Sequence, residues 1–311
     1  MHFQPTEEQR DLRAGVRELL AGRYGREALR TSVDTGVAVD RGLWRELGEA
    51  GFFALRLPES AGGVGLGLPE AVLVFEEAGR ALLPGPLVAT HLAAGVVPGA
   101  AAGTAVVTAF DLGGGPGDGP GDGLRGCLVA HLAEADAVLG APGVPAGSPV
   151  RSVDPLTPLH RVASPPGDVS EYRLAGALLT AALQVGSALR TVELAVRYAG
   201  EREQFGQPIG AFQAVKHLCA QMLVRAEVAR TAVYAAAVTG DPGEVAAAKL
   251  LADGAAVRAA RDCLQVHGGM GFTWEADVHL HLKRAWVRAE QWCTAGEAEE
   301  RLAAELLEAA V

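Results

Sequence analysis

Three observations predict a mainly α protein, with an N-terminal helical domain, a reduced β middle segment and a C-terminal four-helix bundle. Apolar residues recur at three- and four-residue steps over both ends of the chain, the spacing of a helix face. Between them, from Thr104, short apolar runs alternate with Gly and Pro, the texture of short strands and loops. Finally, the C-terminal periodicity is broken twice by bursts of Arg, Gln, Gly and aromatic residues, YAGEREQFGQPIGAFQ from Tyr198 to Gln213 and QVHGGMGF from Gln265 to Phe272. Such breaks are expected where helices are shaped around something other than their neighbours. The expected domains are residues 1–100, 101–169 and 170–311.

The chain has 311 residues, enough to bury a substantial core. At 5 % aromatic content, that core must be packed mainly by small aliphatic side chains. Only Lys216, Lys249 and Lys283 are lysines against 24 arginines, which fits a G+C-rich coding sequence. The formal charge of −10 argues against a nucleic-acid binder, since phosphate-backbone binding is driven by many clustered cations. Cys127, Cys219, Cys263 and Cys293 are widely spaced and form no CxxC pair, so neither a disulfide framework nor a zinc site is indicated, and a reducing cytoplasm is the expected compartment. The charged, amphipathic N-terminus lacks the apolar stretch of a signal peptide. No uninterrupted apolar run reaches the roughly 20 residues of a membrane helix, so no membrane association is expected.

Thr6 with Gln9 forms a capping-box pattern ahead of Leu12, Val16, Leu19 and Leu20, which predicts a helix from about residue 6. A second helix carries Leu43, Trp44 and Leu47 and ends at Gly51. A Gly-rich turn, Gly62 to Gly67, leads into a helix with Pro69 in its first turn. That turn has no P-loop Lys-Ser/Thr ending and no GxGxxG after a strand, so it reads as a packing loop. In the middle segment TAVVTAF, CLVAHL, ADAVLGA and PVRSVDPLTPLHRV read as extended pieces, GGGPGDGPGDG as a surface loop, and Pro165, Pro166 and Gly167 as the closing turn. About 65 residues are too few for an eight-stranded barrel. Four helices then follow: Leu174 to Glu201, one through Phe212, Val215, Leu218, Met222 and Leu223, one from Pro242 to the His267–Gly269 break, and one over Glu275 to Leu307 with a kink expected near Thr294 to Gly296.

Arg202, at the end of the first bundle helix, offers a fork of donors that suits a pyrophosphate, and Phe205 offers a flat face to a ring system. Arg in that place also suits the carboxyl end of its own helix. With Gln204, Gln213, Gln265, Gly268 and Gly269, it falls at helix ends that a bundle could bring together. Cys263 and His267 supply only two metal ligands, and His279 and His281 diverge on a helix, so no metal site is expected.

The pattern Arg202, Gln204, Phe205, Gly206, Pro208, Ile209, Phe212, Gln213, Val215, His217, followed by Gln265, Gly268, Gly269, Gly271, Phe272, resembles the acyl-CoA dehydrogenases, and PESAGGVGLG resembles their first helical domain. The resemblance covers residues 5 to 290 with a deficit in the middle. It implies an α domain, a β domain and a four-helix domain, an FAD cofactor and an acyl-CoA substrate. In the family a glutamate takes the α-proton and flavin N5 takes the β-hydride. It further implies that Arg202, Gln204, Phe205, Gln265, Gly268 and Gly269 touch the pyrophosphate and adenosine of an FAD held mainly by the adjacent subunit.

Two departures shape the functional expectation. The family's Thr-Glu-Pro-like loop and following Gly-Ser, which support the flavin ring, have no counterpart between residues 104 and 168. The catalytic glutamate also has none: its position falls at Trp292, small shifts to Ala295 reach no carboxylate, and the alternative placement falls near Gly176. Glu171, Glu290 and Glu297 are the nearby substitutes, each read first as part of a solvated helix face. The chain therefore reads as the short, FAD-sharing subunit of a heteromeric acyl-CoA dehydrogenase, similar to the reduced subunits of actinobacterial steroid side-chain-degrading enzymes, with a full-length acyl-CoA dehydrogenase subunit as partner in a heterotetramer. A self-sufficient enzyme with a displaced glutamate, able to pair with itself as a homo-oligomer, and a non-catalytic helical assembly protein are the alternatives.

Overall fold

A computed structural model describes residues 4–112, 127–163 and 167–309. GGGPGDGPGDG, Pro165 and Pro166 lie outside them. The N-terminal helices are α1 (Glu7–Arg23), α2 (Arg26–Thr35), α3 (Arg41–Glu49), α4 (Leu68–Arg80) and α5 (Leu87–Leu92). Helix α1 opens with the reciprocal cap expected of Thr6 and Gln9. Gly51, just beyond α3, takes a φ of 80°, and Pro69 stands in the first turn of α4.

The middle segment holds short strands: β1 (Val107–Thr108) pairs parallel to β3 (Ala137–Val138), and β5 (Leu159–Val162) lies antiparallel between β2 (Cys127–Ala130) and β4 (Ser148–Val150). Its own core is Val129, Leu132, Val138 and Val162. TAVVTAF yields only two strand residues because side chains satisfy its backbone. Thr90 Oγ1 bonds both the N–H and the C=O of Val107, at 3.0 Å each, and Asp136 accepts from the Val106 N–H.

The C-terminal half contains α6 (Arg173–Glu201), the hairpin β6 (Glu203–Gln204) and β7 (Gln207–Pro208), α7 (Gln213–Thr239), α8 (Pro242–His267), α9 (Val278–Ala289) and α10 (Ala295–Ala309). The fourth predicted helix is thus two, parted at Glu290–Thr294. Helix α6 is long and apolar enough to cross a membrane by length and composition, but 83 % of its apolar window is buried inside the protein as the bundle's core helix. Helix α4 crosses α6 backbone to backbone. A Cβ on Gly186 would lie 1.8 Å from the Glu76 carbonyl oxygen, and one on Gly79 would lie 2.0 Å from that of Leu183, so the crossing requires glycine on both helices. One hydrophobic core therefore runs from the N-terminal helices through the bundle.

Candidate functional site

Successive antiparallel helices put the end of α6, the start of α7 and the end of α8 at the same end of the bundle. Every residue singled out in the two sequence bursts lies there. Arg202 ends α6 with its backbone, donating to the Tyr198 carbonyl and accepting from the Ile209 N–H, both at 2.8 Å. Its side chain is exposed, with no ion pair among the described residues. Helix termination is thus done by the main chain, which leaves the guanidinium available.

Phe205 and Gly206 form the tip of the β6–β7 hairpin with φ of 54° and 77°. Two successive positive φ values are those of a type I′ turn, which favours Asn-Gly. A Phe there is backbone-strained, and this one is 91 % exposed. Gln204 bonds only its neighbour's carbonyl, and Gln213 is the exposed first residue of α7. On the other side Gln265 is exposed in the last turn of α8, followed by Gly268 (φ 58°, ψ −140°) and Gly269. A Cβ on either glycine would meet nothing within 4 Å, so packing within the chain does not explain them. The two bursts are joined by a stack of Tyr198 on His267, centroids 4.2 Å apart, with His267 Nδ1 held 2.8 Å from the Cys263 carbonyl. That contact accounts for Cys263 and His267 without a metal, and no metal-binding cluster occurs among the described residues. Met270 and Phe272 add exposed apolar surface at the same end.

The two sequence placements for a base, Trp292 and Gly176, meet in space. The Trp292 indole, 2 % exposed, lies against Gly176 so closely that a Cβ there would be 2.2 Å from Cδ2. Trp292 takes a φ of 64° and its N–H bonds the Asp111 carbonyl. Beside it is a cavity of about 30 Å³, room for a water or two, between Thr180, Leu183, His131, Arg288 and Asp111. Burial, with Arg284 nearby, lowers His131 to about 3, which keeps it neutral. None of the substitute glutamates lines this cavity. Glu171 and Glu290 are exposed, and Glu297 caps α10 with Thr294 and pairs with Arg173 at 2.6 Å.

Asp111 is a buried acid that the sequence did not single out. Its Oδ2 accepts from Gln291 Nε2 at 2.8 Å, while Oδ1 is shut away without a partner among the described residues, although the residue as a whole is only half-buried. Burial raises its pKa to about 7. The folded chain therefore keeps this proton up to about pH 7, whereas the unfolded chain releases it near pH 4, so the contribution to stability is complete below about pH 4 and falls as pH rises. Between pH 6 and pH 8 this group should lower stability by about 1.4 kcal/mol, and Asp111→Asn should remove that difference in urea denaturation at the two pH values.

Comparison with known proteins matches residues 6–108 to "Acyl-CoA dehydrogenase, N-terminal domain" and residues 173–293 to "Acyl-CoA dehydrogenase, C-terminal domain". The acyl-CoA dehydrogenase IpdE2 of Mycobacterium tuberculosis is 36 % identical over 98 % of this chain and 99 % of its own length. Among solved structures, the ChsE4-ChsE5 complex from Mycobacterium tuberculosis superposes with a TM-score of 0.83 at 27 % identity, covering 99 % of each chain. A Tcur3481-Tcur3483 steroid ACAD variant gives 0.83 at 26 %, over 98 % of this chain and 99 % of that one. The same fold, at 19 % identity and a TM-score of 0.83 over 98 % of this chain and 99 % of that one, is seen in PigA solved with FAD and proline. The chain belongs to the acyl-CoA dehydrogenase family.

Proposed function

We propose that this chain is an FAD-sharing subunit of an acyl-CoA dehydrogenase: it lends Arg202, Gln204, Phe205, Gln213, Gln265, Gly268 and Gly269 to the FAD of a full-length partner subunit and contributes no base of its own. The observation that carries this reading is the Trp292–Gly176 contact. Both positions where the family resemblance places a base are taken by an indole packed on a glycine, beside a cavity too small for an acyl chain or a flavin ring. A proton acceptor must come within about 3 Å of the proton it takes, and no carboxylate of the substitute set lines this cavity.

The exposed end of the bundle supports the other half of the reading. Gly268 and Gly269 leave open space where a ligand or a second backbone can approach, and the Arg202 guanidinium can bind a pyrophosphate bidentately. Phe205, strained and solvated in the lone chain, gains a partner surface on assembly. FAD, when bound, supplies the hydride acceptor. This chain's residues hold its phosphates and exclude water. The solved ChsE4-ChsE5 complex is a precedent for two chains of this kind together, and the steroid ACAD makes a steroid-derived acyl-CoA the first substrate to try, ahead of simple fatty acyl-CoAs.

The test is co-expression with a full-length acyl-CoA dehydrogenase subunit from the same genome, beginning with any encoded next to this chain. The lone chain should be colourless and inactive, and the complex yellow and able to oxidise acyl-CoA. Arg202→Ala in the complex should weaken FAD retention by about tenfold or more, the worth of a charge-assisted bidentate contact. Phe205→Asn should weaken assembly while leaving the lone chain at least as stable. Flavin colour and acyl-CoA oxidation by the lone chain would sink the proposal, and a complex without flavin would favour a purely structural role.

A further inference from the structure

A second cleft, of about 410 Å³, opens between α1, α2, α4, α6 and the start of α9, away from the Trp292 cavity. This volume lies within the range of small-molecule sites. Arg17, Arg26, Arg80, Arg190 and Arg197 line it, from four different helices. The lining acids, Glu77 and Asp277, leave an excess of cations in a chain whose overall charge is −10.

The arginines are not equivalent. Arg17 bonds Glu77 through Nε and Nη2 at 2.8 and 2.7 Å, Arg26 pairs with Asp277, and Glu193 holds both Arg80 and Arg190. Arg197 is exposed and has no hydrogen bond or ion pair among the described residues, so its charge is available to a ligand. His281, at the buried floor, accepts or donates through Nδ1 to Ser187 Oγ at 2.8 Å. Burial, together with Arg190, Arg284, Arg288 and Arg80, lowers its pKa to about 3, so it adds no charge to the cleft. Leu20, Leu29, Leu82 and Leu194 add apolar surface to the same lining.

We propose that this cleft binds a small phosphate-bearing organic ligand of nucleoside-phosphate size, with the phosphate in the arginine rim at Arg197 and the apolar body against the leucines. The Arg197 guanidinium, which no acid holds among the described residues, suits a phosphate's oxygens bidentately, and a half-open cleft of this size suits a small molecule. The proposal does not rest on the subunit reading above.

The test is calorimetric titration of the full chain with ADP, inorganic phosphate and adenosine. ADP should bind at least about tenfold more tightly than phosphate, adenosine should give no heat, and added salt should weaken ADP. Arg197→Gln, at an exposed position without a protein partner, should cost about tenfold in ADP affinity without changing the melting temperature of the free chain. Arg202→Gln separates this cleft from the bundle end and should leave ADP binding unchanged. No ADP heat up to about 10 mM, a weakness beyond the ordinary millimolar range, overturns the proposal. So does adenosine or phosphate binding as tightly as ADP, an unaffected Arg197→Gln, or an equal loss with Arg202→Gln.

Discussion

Trp292→Ala is expected to destabilise the chain by about 3–5 kcal/mol, the cost of truncating a buried large aromatic residue whose surroundings cannot collapse. The indole is 2 % exposed and its backbone is tied to Asp111 and Leu112 through the Trp292 N–H and the bridge at Gln291. The diagnostic result concerns Gly176. In the wild type, Gly176→Ala drives a methyl into the indole and should cost about 1–3 kcal/mol or more through overpacking. In the Trp292→Ala background that obstacle is gone, and the same change should stabilise by about 0.5–1 kcal/mol, the gain of alanine over glycine inside a helix. A double-mutant cycle by urea denaturation measures this change of sign, and additivity would refute direct packing of the two positions.

Lys249→Met should cost about 3–5 kcal/mol, because it leaves a buried carboxylate without its counter-charge. Lys249 is fully buried on α8 and pairs with Asp253 one turn later, whose Oδ1 also accepts from Gln184 Nε2 at 3.0 Å. The same ammonium group reaches the carbonyls of Arg288 and Ala289 at 3.2 and 3.4 Å, so it caps the end of α9 just before Gln291 and Trp292. Burial pushes the Asp253 carboxyl upward, and Lys249 opposes that shift. Lys249→Met with Asp253→Leu should recover most of the loss, since replacing a whole buried pair by apolar groups is far cheaper than removing one member. A double variant as unstable as the single one would place the cost in the freed α9 carbonyls instead.

Local signals carried much of the fold. The Thr6–Gln9 cap, the Pro69 and Pro242 first turns, the strand pieces at Cys127, Ala137 and Leu159, and the stop of α8 at His267 are each written within a few neighbouring residues, and each is found in place. Helices α2 and α5 went unread. Helix α5 is six residues long and almost entirely buried, so it shows no amphipathic period. The division of the last helix could be sensed at Thr294–Gly296, but the turn is set by Trp292, whose positive φ is imposed by its burial against α6 and its bond to Asp111. Asp111 itself gave no sequence signal: an acid after an apolar strand piece is ordinarily a surface turn, and only the return of Gln291 across the fold buries it.

By itself the sequence determined the helical architecture, the family motif and the absence of a carboxylate at the expected base positions, because helix periods, caps and motif spacings are properties of neighbouring residues. The tertiary structure decided that Trp292 and Gly176, 116 positions apart, are one packed contact, that the two motif bursts meet through Tyr198 and His267, and that arginines from four helices share one cleft. Those facts depend on the close α4–α6 crossing at Gly79 and Gly186 and on the antiparallel return of α8 and α9. Long-range packing of this kind is fixed by which surfaces fit together, and no local pattern encodes it.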